Sequence, residues 1–324
     1  MVPNSPLRFS PVFRSYIWGG NRLAGVLGKT VPSDCIWAES WEVVDHGADQ
    51  SIVSEGPYAG WSLHQLIESF PDEILGMHAA QFPSFPLLLK YLDCQRVLSV
   101  QVHPNDAYAK RMNPPDLGKT EAWYVVDAQP GAKIYAGLKS GVDRAALAQA
   151  IEEGRTEDCL HVVNAQAGDC IFIPAGTVHA LGDGLLIAEI QQASDTTFRL
   201  FDWNRVDADG KPRPLHIEQA LEVIDYASGP VEKCSAVPCD VDGMSTLVAC
   251  DKFVLQKLEA KATYALPHDG RFRILTVPQG TASLKVGDET MRLEVGQTTL
   301  IPADHGNVRL EVNEQSQVLV MRLP

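Results

Sequence analysis

Gly168-Asp-Cys-Ile-Phe-Ile-Pro174-Ala-Gly176-Thr-Val-His179 sets an apolar run between a glycine and a proline and then places a histidine five residues past the proline. Glycine permits the tight turns, and proline, which cannot donate to a strand ladder, ends the run. The pattern reads as strand, turn, strand, with His179 at the entry of the second strand. A related stretch, Gly296-Gln-Thr-Thr-Leu-Ile-Pro302-Ala-Asp-His-Gly-Asn307, lies 128 residues on, with glycine, isoleucine, proline and alanine in register. His179 falls on Asn307, and His305 is two residues out of step. The echo predicts two related β domains, of which the first carries a ligand histidine and the second does not. Gly-x5-Pro also occurs as an ordinary turn-and-strand pattern, so the echo alone does not prove kinship.

The surrounding sequence agrees with a β reading. Val97–Val102, Trp123–Asp127, Lys133–Ala136, Leu185–Gln191, Phe253–Leu258, Phe272–Val277, Ala282–Val286 and Gln317–Arg322 are short, rich in Val, Ile, Leu and aromatics, and bounded by Gly, Pro or Asp. Such a series predicts a mainly β chain, a sandwich or barrel rather than alternating β/α units. Helices are few. Ser62–Leu75 has an apolar stripe at Leu63, Leu66, Ile67 and Phe70. Gly141–Glu153 follows Ser140, read as its N-cap, and Ile217–Tyr226 is the third. A length of 324 residues suits two domains. The expected division is 1–227, then a Pro-, Gly- and Ser-rich linker at 228–244, then an almost purely β domain at 245–324.

Composition narrows the function classes. The net charge of −14 argues against nucleic acid as a partner, so an anionic substrate must meet a local cluster of Lys and Arg. No run of 18 apolar residues is present and the start lacks a secretory pattern, so no membrane partner is expected. The seven cysteines are odd in number and irregularly spaced, which predicts reduced thiols in a cytoplasmic protein. No obligate protein partner is evident.

Three further constellations carry chemistry. In Ser99-Val-Gln101-Val-His103, alternation along a strand puts Ser99, Gln101 and His103 on one face. Such buried polar groups cost roughly 1–3 kcal/mol each unless partnered, and a hydrogen-bonded pair in a pocket is the plainer account. In Gly118-Lys119-Thr120-Glu121-Ala-Trp123, a carboxylate heading an apolar strand calls for a cation, either Lys119 or a metal. In Glu189-Ile-Gln191-Gln192-Ala-Ser194-Asp195-Thr-Thr-Phe198-Arg199, Arg199 supplies a permanent charge for an enediolate oxygen or a phosphate, or serves a structural salt bridge. Joined, Gln101, His103, Glu121 and His179 make a mixed N/O donor set suited to Zn²⁺ or another borderline divalent ion.

The His179 stretch is similar to the second cupin motif, Gly-x5-Pro-x-Gly-x2-His, with Asp183 where that motif carries asparagine. The first motif is altered: Gln101-x-His103 stands for His-x-His, and Glu121 comes 18 residues after His103. FPLLLKYLD, LSVQVHPND, GKTEAWYV, FIPAGTVHAL and QQASDTTFRLFDW together resemble the type I phosphomannose isomerase family of the cupin superfamily, in its short bacterial form. The likeness runs from Ile17-Trp-Gly-Gly20 through Glu39-Ser-Trp-Glu42 to His216, about two-thirds of the chain, and is weaker in the last third. It implies two cupin-type jelly-roll β-barrel domains with a few peripheral helices, and interconversion of mannose 6-phosphate and fructose 6-phosphate with one Zn²⁺ per chain. It implies Gln101, His103, Glu121 and His179 as metal ligands and Arg199 as a catalytic and substrate-binding arginine. It also implies Glu189 as a catalytic carboxylate and Lys119 as a catalytic lysine, with Lys119 and Ser99 lining the substrate pocket. A proton must pass between C2 and C1 through a cis-enediol, and Glu189 competes with a zinc-bound water as its carrier. Lys119, Lys90, Arg205 and Arg213 are the cations open to the phosphate. Two rivals are a different metal-dependent cupin enzyme, such as an oxygenase, and a non-catalytic sugar-phosphate-binding cupin.

Overall fold

The computed structural model describes residues 3–32, 35–206, 210–241, 243–259, 261–287 and 289–324. The chain is mainly β, with short helices between strands. It groups into two compact units: Met1–Arg14, Asn21–Tyr91 and Ser235–Pro324 form one, and Ser15–Gly20 with Leu92–Cys234 form the other. The grouping follows spatial compactness rather than the chain order of 1–227, 228–244 and 245–324.

The second of these units contains all eight site residues expected from the sequence. Its strands are β1 (Val100–Val102), β2 (Glu121–Ala128), β3 (Lys133–Leu138), β4 (Leu160–Asn164), β5 (Cys170–Ile173), β6 (His179–Leu181), β7 (Leu185–Gln192) and β8 (Phe198–Phe201). One sheet has the order β4-β3-β6-β1-β8, and a second run has the order β5-β2-β7. Neighbouring strands within these runs pair antiparallel. No sheet among the described residues closes on itself. The five-stranded sheet packs Val100, Val102, Ala180 and Leu200 with Leu147 and Leu160 into an apolar cluster. β7 is buried at every position, so it reads as a continuous apolar run and not as an alternation. Glu189, Gln191 and Gln192 interrupt that run, and a buried carboxylate or amide there needs a dedicated partner.

The first unit holds a six-stranded sheet made of Val237–Pro238, Met244–Ala249, Val254–Glu259, Gln317–Arg322, Arg273–Gln279 and Thr298–Ile301, in that order. A four-stranded sheet follows the order Ala262–Ala265, Val308–Val312, Ala282–Val286, Glu289–Leu293. Leu275, Val277, Leu284, Leu310 and Val320 fill the core of these strands.

All three expected helices differ from expectation. Gly141 sits at φ +85°, which turns the chain, so the helix starts later, at Arg144–Glu152. Its N-cap is Asp143, whose carboxylate accepts from Ala146 N–H at 2.8 Å, and Ser140 plays no such part. The stripe at 62–75 is two helices. Leu63–Ser69 opens with a Ser62/Gln65 capping box, and Pro71, which disfavours a helical Phe70, starts Pro71–Leu75. The third is shorter than expected, Ile217–Val223, because Ile224 is extended. In the stretch expected as a linker, Pro230 bridges Gly137 and Lys233 bridges Ile171, while residue 242 lies outside the described residues.

Candidate metal centre

Cross-strand register assembles the site. Gln101 on β1 is the partner of His179 on β6 and also of Arg199 on β8, so the three form one row across three strands. His103 lies just past the end of β1, where Gly176 N–H donates to its carbonyl at 2.8 Å. Gly176 is at φ +90°, and a Cβ there would stand 3.1 Å from Val223 O, so the turn before His179 requires glycine. From the other run, β2 supplies Glu121 opposite Gln191, and Trp123 opposite Glu189.

These elements bring His103, Glu121 and His179 together, all buried, with ligand atoms within 4.8 Å of one another. His103 Nε2 is 3.5 Å from Glu121 Oε2, and His179 Nε2 is 3.4 Å from Glu121 Oε1. Each imidazole is oriented from behind: His103 Nδ1–H donates to Thr196 O at 2.9 Å, and His179 Nδ1–H donates to Thr177 O at 2.8 Å. A carbonyl can only accept, so both Nδ1 atoms carry the proton and both Nε2 lone pairs face inward. Burial, aided by the Lys119 charge, lowers the His179 pKa to about 4 against opposing effects of Thr177 and Glu189, so this imidazole is neutral at pH 7. The Gln101 amide stands 3.2 Å from His179 Nε2. Its oxygen and nitrogen ends interchange by a half-turn of the amide, so an oxygen donor is available on the same side.

The donor set fits a divalent ion. Two neutral imidazole nitrogens, a carboxylate and an amide oxygen are borderline-hard ligands, and both histidines have the carbonyl-fixed tautomer that ligation needs. Lys119 Nζ is 3.1 Å from His103 Nε2 and 3.2 Å from Glu121 Oε2, so a cation already balances this carboxylate.

The remaining expected residues surround this group. Trp123 Nε1–H donates to Glu189 Oε2 at 2.9 Å, and the Trp123 ring meets His179 edge to face at 5.2 Å. Arg199 Nε–H donates to Ser99 Oγ at 3.2 Å and Nη1–H to Pro214 O at 2.9 Å. Burial lowers the Arg199 pKa, as do the nearby Arg213 and Arg205 charges, while Asp202 opposes them. Arg213 makes a bidentate pair with Asp202 at 2.6 and 2.7 Å, and Arg205 pairs with the same carboxylate. Both guanidinium groups therefore already share the one Asp202 carboxylate. Lys90 lies beside Glu39 at 3.7 Å in the other unit.

Several contributors were not legible in the sequence. The Thr196 carbonyl is held by a loop fixed through Asp116, which accepts from Ser194 Oγ at 2.8 Å and Thr196 Oγ1 at 2.6 Å. Gln192 bridges Thr120 N–H and Asp106, locking the same loop to the start of β2. A backbone carbonyl is common to all residues, so nothing in the sequence marks Thr177 or Thr196 as imidazole acceptors. His305, the odd histidine of the second copy, is buried with Nδ1 2.7 Å from Gly306 O and Nε2 3.2 Å from Pro267 O. Both its nitrogens are turned to backbone carbonyls rather than to a group of ligating side chains.

Comparison with known proteins agrees with this geometry. Residues 7–127 match the catalytic domain of phosphomannose isomerase type I, and residues 243–320 match the cupin domain of mannose-6-phosphate isomerase. The chain is 38% identical to mannose-6-phosphate isomerase ManA of Bacillus subtilis over 96% of its length and 97% of the relative's. It is 35% identical to mannose-6-phosphate isomerase of Streptococcus mutans, covering 92% of each chain. The crystal structure of the mannose 6-phosphate isomerase from Bacillus subtilis superposes with a TM-score of 0.89 at 32% identity, covering 98% of this chain and 99% of that one. With such identity along almost the whole chain, the protein belongs to the type I phosphomannose isomerase family.

Proposed function

We propose that this chain interconverts mannose 6-phosphate and fructose 6-phosphate with one Zn²⁺ per chain, held by Gln101, His103, Glu121 and His179. The observation that carries this reading is the convergence of two Nδ1-protonated imidazoles on the Glu121 carboxylate. When bound, the zinc supplies Lewis-acid polarisation of the sugar carbonyl. The chain's own residues do the rest. As the C2 proton leaves, negative charge develops on O1 and O2. Arg199, held by Ser99 and Pro214, stabilises it. Glu189 carries the proton between C2 and C1, with the Trp123 indole donating to one of its oxygens and so fixing the carboxylate. Lys119 and Ser99 line the substrate side, and Lys119 serves the phosphate or a sugar hydroxyl.

The division of labour follows the repeat. We assign residues 1–227 to a catalytic cupin barrel, 228–244 to a connection and 245–324 to a cupin barrel without ligands, each a jelly roll. Location in the cytoplasm accords with the reduced thiols and with the absence of any helix long and apolar enough to cross a membrane among the described residues. The test is a coupled assay of mannose 6-phosphate conversion with and without chelator, with Zn²⁺ added back. Turnover lost to chelator and restored by zinc supports the assignment. Metal-loaded protein without turnover moves it to a sugar-phosphate-binding cupin.

A further inference from the structure

Cys170 and Cys234 lie opposite each other in the unit that carries the metal centre. Ile171 on β5 and Lys233 form an antiparallel bridge, and this register makes Cys170 and Cys234 direct partners. Cys234 N–H donates to Cys170 O at 2.8 Å, which marks them as a hydrogen-bonded pair. Partners of that kind have Cα atoms about 5.5 Å apart, inside the span a disulfide bridges. As directly opposed residues of an antiparallel pair, the two side chains stand on the same face. Lys233 belongs to an isolated bridge rather than to a strand.

The two thiols are unlike. Cys170 is buried within β5, whereas Cys234 is partly exposed and open to a solute. The hydrogen bond from Cys170 pulls the Cys234 thiol below the ordinary range, and burial only partly opposes it. Cys234 is therefore the attacking sulfur and Cys170 the resolving one. Neither takes part in the isomerase chemistry above.

We propose that Cys170 and Cys234 are a dithiol site that hydroperoxides convert to a reversible disulfide. The Cys234 thiolate attacks a peroxide oxygen; the S–O bond forms as O–O breaks, giving sulfenic acid and hydroxide. The Cys170 sulfur then attacks Cys234; S–S forms, S–O breaks, and the oxygen leaves as water with the Cys170 proton. Two thiols lose two electrons and two protons, and one hydrogen peroxide becomes two waters. The bond pins the 225–234 segment to β5. That segment also holds the turn before His179, because Asp225 N–H donates to Gly176 O at 2.9 Å. Closing the loop from 170 to 234 constrains the unfolded chain and raises thermal stability.

The experiment treats the zinc-loaded full chain with hydrogen peroxide, blocks remaining thiols under denaturation, and maps peptides by mass spectrometry. The expected product joins the Cys170 and Cys234 peptides, lighter by two hydrogens, and dithiothreitol releases it. Oxidised protein should melt higher than reduced protein, and Cys234→Ser should abolish both the linked peptide and the rise. Cys234 advancing to sulfinic acid while Cys170 stays alkylatable overturns the proposal, as does either thiol pairing with a third cysteine or both remaining unmodified. The wild-type mapping decides the matter even where a variant folds poorly.

Discussion

His103 and His179 face one another with ring centroids 4.8 Å apart, and each donates its Nδ1–H to a threonine's backbone carbonyl, Thr196 for one and Thr177 for the other. Both rings therefore present Nε2 to the same point beside Glu121. Replacing either imidazole, as in His103→Ala or His179→Ala, should lose zinc and turnover together. Metal analysis alongside the coupled assay checks this; an inactive variant with full zinc would reassign the histidine to substrate.

Arg199 shares the row of Gln101 and His179 but donates to Ser99 and Pro214 rather than to the metal group. Arg199→Ala should keep its zinc and lose about 10²–10³ in kcat, the cost of removing one donor to a developing oxyanion. Near wild-type turnover in this variant would remove Arg199 from the chemistry.

Glu189 is buried and bound through one oxygen by Trp123. Glu189→Gln keeps the shape and the indole contact while removing the base, so proton exchange at C2 should fall with kcat while KM changes little. Exchange of solvent deuterium into the sugar, read by NMR, reports this directly. Unchanged exchange would assign the proton transfer to another group.

His179 gives the metal-free protein a pH signature. Its pKa falls from 6.5 in the unfolded chain to about 4 in the fold, chiefly by burial. Between those values the unfolded state binds the extra proton, so stability rises with pH. The midpoint of unfolding of chelator-treated protein should drop as pH falls from about 6.5 toward 4, and zinc should offset the drop while it stays bound. His179→Gln should flatten the dependence in calorimetry; the same slope in this variant would place its origin elsewhere.

His305 has carbonyls on both ring nitrogens. His305→Ala should leave zinc content unchanged while lowering the melting temperature, since a buried ring and its hydrogen bond to a backbone carbonyl are lost. Loss of zinc would overturn the reading of the second repeat as ligandless.

The residues that do chemistry are legible in the sequence because each is an expensive exception to its surroundings. Gln101, Glu121 and Glu189 interrupt apolar strands, and His179 ends a turn that only glycine at 176 permits. What holds those residues was hidden, because it is made of backbone carbonyls and of pairings far apart along the chain. The composition of the first unit was hidden for the same reason. Leu7 pairs with Leu300, and Met77 N–H donates to Gly270 O at 3.0 Å, so residues from both ends of the chain build one body. Local pattern reports strands and turns, but it does not say which distant strands meet. Helix starts shifted for a more local reason. At Asp143 and Pro71 a single backbone constraint outweighed the apolar periodicity.

The row Gln101, His179 and Arg199 is held by ladder pairing between strands and not by distance along the chain. Insertions or deletions in the loops between these strands should therefore be tolerated outside the stretches that carry Gly176, Thr177 and Thr196, provided both flanking strands keep their partners. A single-residue deletion inside β1 or β6 is different, because it turns the side chain to the opposite face. A search for distant relatives should therefore align strand partners and let gaps float in those loop stretches that touch neither imidazole.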